Sequence, residues 1–388
     1  MSPYPYMKLV LTAAILIVFP SLVSGSAQET YKITGVVLNR ETNDPVPLAE
    51  VFISGTTHGS ITDTEGRFEL ETGYLPCQLV VSHLSYAPFN RMIDVESLTY
   101  LTIRLIPYQH EITEIAVESI SRRKENLELF KRAFIGEDDI AYACKILNDS
   151  ILSFRWDSLV FSASARQPLL IDNPKLGYRI KIILEDFKLI YQPEDYRKIH
   201  RGRKIKPDVT GALYQTICQF HFIPHPPGKG SQQKRIENNR LRTYYGSRMH
   251  FLRALYSDQL KSYGYRINPG YQSFPITDAR ILDSSSGIKI IFLDPLGYPD
   301  KMLILPDKPV EISFFEDYSG KPVNLNKENG MHVSPLKSRL TFSKNKCMVR
   351  YNGTTFDYSL VFYGDLGGQR IASMLPDDFK PDHEYSYY

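Results

Sequence analysis

Between residues 30 and 106 the apolar positions fall in short runs with a period of two, the pattern of strands with one buried face. The run 31–38 alternates imperfectly and ends at Asn39-Arg40, before a turn cluster at Thr42, Asn43, Asp44 and Pro45. Ala49 to Ile53 forms a second run, followed by a loop bounded by Gly55 and Gly59 and then by a short third run, Ser60 to Asp63. Asp63-Thr64-Glu65-Gly66 makes a turn, because Gly66 accepts a positive φ and Asp63 can bond the backbone of its own turn. Phe68 and Leu70 then alternate with charge. The run 79–84 is apolar almost throughout and reads as a central strand buried on both faces. Runs at 88–95 and 100–105 complete seven short strands with turn signals between them, which predicts a β-sandwich.

Beyond residue 120 the period changes. Leu127, Phe130, Ala133 and Phe134 share one helical face, and Gly136 can end that helix. Ile140, Ala143, Cys144 and Leu147 suggest a second, shorter helix. Strand-like runs follow at 158–165 and 176–191. Phe251, Leu252, Leu255, Tyr256 and Leu260 mark the strongest helix, with Ser247 as its cap and Gly264 suited to its end. The tail carries further β-like runs at 289–293, 302–305, 310–315, 338–343, 346–351 and 358–363. The predicted fold class is mainly β: a seven-stranded sandwich over 28–106, a connector strand over 107–120, and a mixed α+β region over 121–388 with a sub-boundary near 270–288. The connector alternates at Ile112, Ile115 and Val117 with little Gly or Ser, so the two halves are expected to be closely coupled.

The N-terminus has its own pattern. Lys8 precedes an apolar run of about eleven residues, 9–19, and the small residues Ser24, Gly25, Ser26 and Ala27 follow. That run is too short for a bilayer core of roughly 20 helical residues and fits a secretory leader cut after Ala27; a signal-anchor is the alternative. No Cys stands near the cut, and Met7 offers an alternative start. The expected location is the periplasm or the outer-membrane surface.

Ile33-Thr34-Gly35-Val36-Val37, Pro47-Leu48-Ala49-Glu50-Val51, Thr62-Asp63-Thr64-Glu65-Gly66-Arg67-Phe68 and Leu79-Val80-Val81-Ser82-His83-Leu84-Ser85-Tyr86 together resemble the carboxypeptidase regulatory-like domain. The resemblance implies a transthyretin-like sandwich of about 75 residues. Ser85-Tyr86 departs from the usual Gly-Tyr of that family. Further on, Asn173 to Tyr178, Tyr245 to Tyr256 and Arg370 to Phe379 resemble a group of Bacteroidota envelope proteins that pair this module with an uncharacterised C-terminal region. That second resemblance implies no activity and no site residues.

The family name does not imply peptidase chemistry here. Metallocarboxypeptidase zinc needs His-x-x-Glu and a distant His, and none of the nine histidines is followed by Glu at the third position. His110-Glu111 and His383-Glu384 lack the second His of a zincin motif. A similar module begins TonB-dependent outer-membrane transporters, but the ~280 remaining residues cannot form both a plug and a 22-stranded barrel. Asp63 and Glu65 supply too few oxygens for a calcium loop. His221 and His225 flank Pro224, so no helix aligns them as metal ligands. His250 and Arg253 read as structural partners. There is no Gly-x-Ser-x-Gly and no P-loop. Asp377-Asp378 and Glu185-Asp186 are adjacent pairs, which on a strand face opposite ways.

Composition adds two points. Four cysteines in 388 residues are too few for a disulfide scaffold. Cys77 reads as a buried free thiol, while Cys144 could pair with Cys218 or Cys347. The formal net charge of +3 conceals an asymmetry: residues 28–120 hold 13 Asp/Glu and 5 Lys/Arg, leaving about +10 on the region that follows. The opposite charges favour docking, but exposed pairs are worth only about 0–1 kcal/mol each, so apolar contact must supply most of it. The densest basic stretch, Arg197, Lys198, Arg201, Arg203, Lys204 and Lys206, is either a solvated hairpin tip or a polyanion-binding patch. Export and the lack of interleaved aromatics argue against nucleic acid.

The sequence therefore points to a non-catalytic exported envelope protein, without cofactor or metal, whose sandwich engages an envelope protein or glycan, with peripheral outer-membrane contact. An enzyme of an unrecognised class and an outer-membrane barrel-associated protein are the alternatives. N-terminal sequencing of the exported protein is expected to read Gln28 first; retention of residues 9–19 in a membrane-bound chain would mean an anchor instead.

Overall fold

The computed structural model describes residues 30–108, 120–193, 209, 212–268, 271–274, 288–292, 301–304, 309–317, 319–326, 334–344, 346–355 and 360–381. The predicted leader, connector residues 109–119, the basic stretch 197–206 and most of the 270–288 segment lie outside the described residues.

Seven strands form the N-terminal sandwich. One sheet orders β4 (Arg67–Thr72), β1 (Tyr31–Asn39) and β7 (Leu101–Leu105); the other orders β3 (Gly59–Ile61), β2 (Glu50–Ile53), β5 (Cys77–His83) and β6 (Tyr86–Ile93). β1 runs antiparallel to β4 and parallel to β7. Ile33, Val37, Val51, Ile53, Phe68, Leu70, Leu79, Val81 and Ile103 interleave between the sheets as one core. The Asp63 turn forms as its chemistry dictates: Gly66 has φ +71°, and Asp63 Oδ1 accepts from the amides of Glu65 and Arg67 at 2.9 and 2.8 Å. The Ser85 departure is accommodated, since the Ser85 amide donates to His83 Nδ1 at 3.1 Å.

β5 is buried on both faces for a reason that lies outside the sandwich. Leu79 and Val81 face the sandwich core, whereas Val80 and Phe52 pack against Ile183 of the second region. Cys77 opens this strand as a buried free thiol, which burial pushes up to about 12.

The second region has two cores. The first is a six-stranded sheet in the order β8 (Lys145–Ile146), β11 (Leu169–Asn173), β12 (Tyr178–Ile190), β10 (Val160–Ala165) and β9 (Leu152–Asp157), with β13 (Leu213–Pro224) also paired to β12. Helix α1 (Ile120–Phe130) continues as a π-helical turn, Lys131–Ile135, and ends at Gly136 with φ +125°. Its Phe130 and Phe134 stack on each other and meet Phe187 edge-on. The second predicted helix is only a 3-10 turn, Ala141–Ala143.

Helix α2 (Ser231–Tyr244) has no counterpart in the sequence reading. It is polar almost all round and buries only Ile236 and Tyr244, so it lacks an apolar stripe to read. Asn239 and Arg240 hold it by donating to the carbonyls of Lys175 and Leu176.

The second core gathers around α3 (Arg248–Tyr256), capped by Ser247 Oγ, which accepts from the His250 amide at 3.0 Å. α3 packs on the sheet β14 (Tyr265–Asn268), β18 (Val310–Phe314), β19 (Leu336–Phe342) and β21 (Leu360–Gly364). Gly264 does not cap this helix, because the chain leaves helical geometry at Ser257 and turns before it. A last sheet orders β15 (Tyr271–Phe274), β16 (Ile288–Phe292), β17 (Lys301–Ile304) and β20 (Lys346–Val349). All four cysteines are free, so Cys144 pairs with neither Cys218 nor Cys347. Among the described residues no helix is long and apolar enough to cross a membrane.

Phe187 touches Phe130, Phe134, Phe161 and Tyr214 and is fully buried. Phe187→Ala is expected to lower the unfolding free energy by about 3–5 kcal/mol, measurable by urea denaturation.

Candidate site at the junction of the sandwich and the second region

The β2–β3 loop joins the two halves through its backbone. The Gly55 amide donates to Phe220 O at 2.8 Å, the Phe222 amide donates to Thr56 O at 3.0 Å, and Thr56 bridges His221 in parallel. The loop thus adds to β13 as a short extra strand. On its other side the C-terminal turn closes over it. The Asp377 amide donates to Gly55 O at 2.7 Å, and Asp378 accepts from both the amide and the hydroxyl of Thr57. Gly55 has φ +86°, and a Cβ there would lie 2.5 Å from Asp377 Oδ2, so only glycine fits.

Glu50 is the charged centre of this contact. Its carboxylate meets Lys181 Nζ and lies 2.6 Å from His221 Nδ1, and the His221 ring stacks on Phe52. Burial alone would raise the Glu50 pKa; the hydrogen bond from His221 and the Lys181 charge outweigh it and hold the group at about 2. An acidic residue of the acidic half therefore meets basic residues of the other half, with Phe52, Val80 and Ile183 supplying the apolar contact beside it.

Next to this seam lies a cleft of about 390 Å³, walled by both halves. The sandwich contributes His58 and Tyr74, and the second region contributes Arg253, Tyr351, Asn352 and Asp377. Tyr74 and Tyr351 meet edge to face at 6.5 Å, and the Arg350 guanidinium lies 5.3 Å from the Tyr74 ring centre. Tyr351 Oη donates to Gly73 O at 3.3 Å. Arg253 is held by two of its nitrogens: Nε donates to Asn352 O at 2.9 Å and Nη2 to Asp377 O at 3.1 Å. Arg253 Nη1 and Asn352 Nδ2 are buried without partners. Burial and the neighbouring Asp378 charge push the Asp377 carboxyl up to about 7, against the pull of Arg253 and Arg350. Tyr74 is also raised, by burial and then by the Asp377 charge.

The other residues singled out from the sequence are dispersed. His221 binds Glu50 while His225 Nε2 lies 3.1 Å from Asp172, so the two histidines serve separate carboxylates. His250 turns to Gly246 and Tyr265; burial, with Arg253 nearby, drops it to about 3. Arg253, three residues on, belongs to the cleft. Asp377 and Asp378 sit in a turn, not on a strand, and so both reach the cleft. Arg197, Lys198, Arg201, Arg203, Lys204 and Lys206 lie outside the described residues. Tyr74 and the adjacent pair Tyr351-Asn352 carried no signal in the sequence, since they stand on two turns about 280 residues apart.

Residues 33–117 are a CarboxypepD_reg-like domain, which accounts for the sandwich. No curated protein matches the chain. Among solved structures, a candidate membrane-associated protein of unknown function from Bacteroides fragilis NCTC 9343 is 11% identical, with 86% of this chain and 99% of that one covered and a TM-score of 0.17. A candidate carbohydrate-binding protein from Bacteroides uniformis ATCC 8492 is 10% identical, over 79% of this chain and 97% of that one, with a TM-score of 0.16. A 9R-lipoxygenase from Cyanothece PCC8801 is 13% identical over 65% of this chain and 50% of that one, with a TM-score of 0.17. At such TM-scores these likenesses carry no argument about this chain's function.

Because Glu50 is lowered on folding, its contribution to stability is present above its ordinary value near 4.5 and is lost as pH falls toward 2. Glu50→Gln is expected to cost about 3 kcal/mol at pH 7 and to flatten the stability profile between those pH values, as read by denaturant titrations across pH.

Proposed function

We propose that this protein is an exported, non-catalytic envelope protein that binds a glycan in the cleft between its sandwich and its second region. The carrying observation is the composition of that cleft: two tyrosine rings beside buried, unpartnered hydrogen-bond donors, in a concave site built by both halves. A sugar presents flat C–H faces and many hydrogen-bonding groups, and so requires both features in one place. The secretory pattern at residues 8–27 supports delivery to the compartment where such glycans lie. Contact with the outer membrane is then peripheral, through the bound glycan.

An enzyme is the second reading, favoured by the Asp377 carboxyl, which at about 7 is poised to give or take a proton. The binding reading is preferred because Asp378 is engaged by Thr57 and follows Asp377 directly in one turn.

Calorimetry of the mature chain with fractionated envelope polysaccharide is expected to show saturable binding. Tyr351→Ala should weaken it at least tenfold, about 1.4 kcal/mol. Absence of binding, or an unaffected variant, would refute the site, and steady release of reducing ends would move the assignment to the enzyme.

A further inference from the structure

We propose a second binding site, for a single-chain amphiphile with an anionic head, in the cavity between α3 and the segment 369–375. The head meets Arg248, and the hydrocarbon chain lies along Met249, Leu252, Leu360, Phe362 and Met374. The site stands apart from the glycan cleft and does not depend on it. It fills the gap between the two cores of the second region with about 340 Å³ of space, inside the roughly 300–1,000 Å³ of small-molecule sites.

Two guanidiniums set the head end. Arg248 Nη2 and Arg370 Nη1 donate to the same oxygen, Gln369 O, at 3.4 and 3.2 Å. Gln369 Oε1 accepts from the Arg248 amide and Nε at 2.8 and 3.3 Å. Arg370 also donates to Gly367 O and stands over the Tyr214 ring, 4.6 Å from its centre. All these acceptors are neutral, and neither arginine pairs with a carboxylate among the described residues. Two like charges crowded on one carbonyl repel each other, a cost that a structural brace of one arginine would not carry. Burial, and then the Arg370 charge, lower the Arg248 pKa, yet a guanidinium keeps its proton. The first turn of α3, which begins at Arg248, adds the positive end of the helix dipole. An anion relieves each of these. Arg248 lines the cavity, and its Nη1 bonds nothing among the described residues and is not sealed from solvent.

The carboxylates nearby are engaged elsewhere. Asp377 also lines the cavity, but the charges acting on it are those of Asp378, Arg253 and Arg350. Asp138 accepts from Ser373 Oγ and from the Ala141 amide. The groups acting on Arg248 are Arg370 and Tyr214. Preference for an anion thus comes from a local excess of positive charge, not from a shortage of acceptors.

The chain end follows from packing. Met249 and Met374 edge the first core, Leu360 and Phe362 edge the second, and all four are left half-buried where the cores diverge. Covering them is worth about 25 cal/mol per Å² of apolar surface removed from water. Hydrocarbon joined to an anion answers both ends, whereas inorganic phosphate would leave the apolar wall wet.

Calorimetry of the mature chain at pH 8 with decanoate, decan-1-ol and inorganic phosphate separates the two ends. Decanoate is expected to bind at least tenfold tighter than the alcohol and tenfold tighter than phosphate. Arg248→Gln should erase the preference for the acid while the alcohol still binds, and Arg248→Lys should restore part of it. Equal binding of acid and alcohol would overturn the inference, as would phosphate binding as tightly as decanoate. Association with phosphatidylglycerol vesicles without saturable binding of decanoate would make the contact a membrane surface and overturn it too. A crystal grown with decanoate gives a readout independent of any variant folding. A carboxylate at Arg248 with its chain beside Met374 is expected, and a cavity holding only water would refute the site.

Discussion

The pairing of the loop 54–58 with β13 is the contact on which the rest of the arrangement depends. Two backbone hydrogen bonds, Gly55 to Phe220 and Phe222 to Thr56, fix the sandwich against the long sheet in one register. That register places Phe52 and Val80 over Ile183 and Glu50 between Lys181 and His221. Burying Phe52, Val80 and Ile183 stabilises the contact by roughly 1.5–3 kcal/mol for each side chain. The buried Glu50 group adds less, because desolvation offsets much of its attraction, but it penalises any other alignment strongly. Apolar area holds the halves together, and the charges and backbone bonds decide how.

The cleft is a consequence of that seam. The C-terminal turn carrying Asp377 and Asp378 docks on Gly55 and Thr57 only because the loop is already held by β13. Tyr74 and His58 then face Tyr351, Arg253 and Asn352 across a gap that neither half encloses alone. The raised Asp377 carboxyl has the same origin: it is desolvated by a wall from the other half and lies beside Asp378. Its proton affinity is therefore a property of the assembled junction, not of the turn.

The protein also shows where charge patterning has limits as a guide. The acidic and basic halves do meet, yet the close ionic contacts of the seam centre on Glu50, and one runs the other way, with His58 of the sandwich beside Asp378. Net charge describes a long-range tendency that salt screens within about 8–10 Å. Local packing decides which side chains touch.

Much of the sandwich was legible in the sequence, because strand period, glycine turns and the Asp63 bond to its own backbone act over a few residues. The same holds for α1 and for Ser247 as the cap of α3. Even the double burial of β5 was readable from Leu79, Val80 and Val81, though not what would cover its outer face. Helix α2 was not readable, since its stability comes from Asn239 and Arg240 bonding carbonyls some 60 residues away, and not from an apolar stripe. The candidate site was hidden for a stronger version of that reason. Tyr74, Arg253, Tyr351 and Asp377 have no spacing relation along the chain, and their chemistry arises from burial and from one another's fields. Sequence alone determined the local geometry of each strand and turn; tertiary structure decided which turns meet, because desolvation and long-range pairing exist only once the chain has closed.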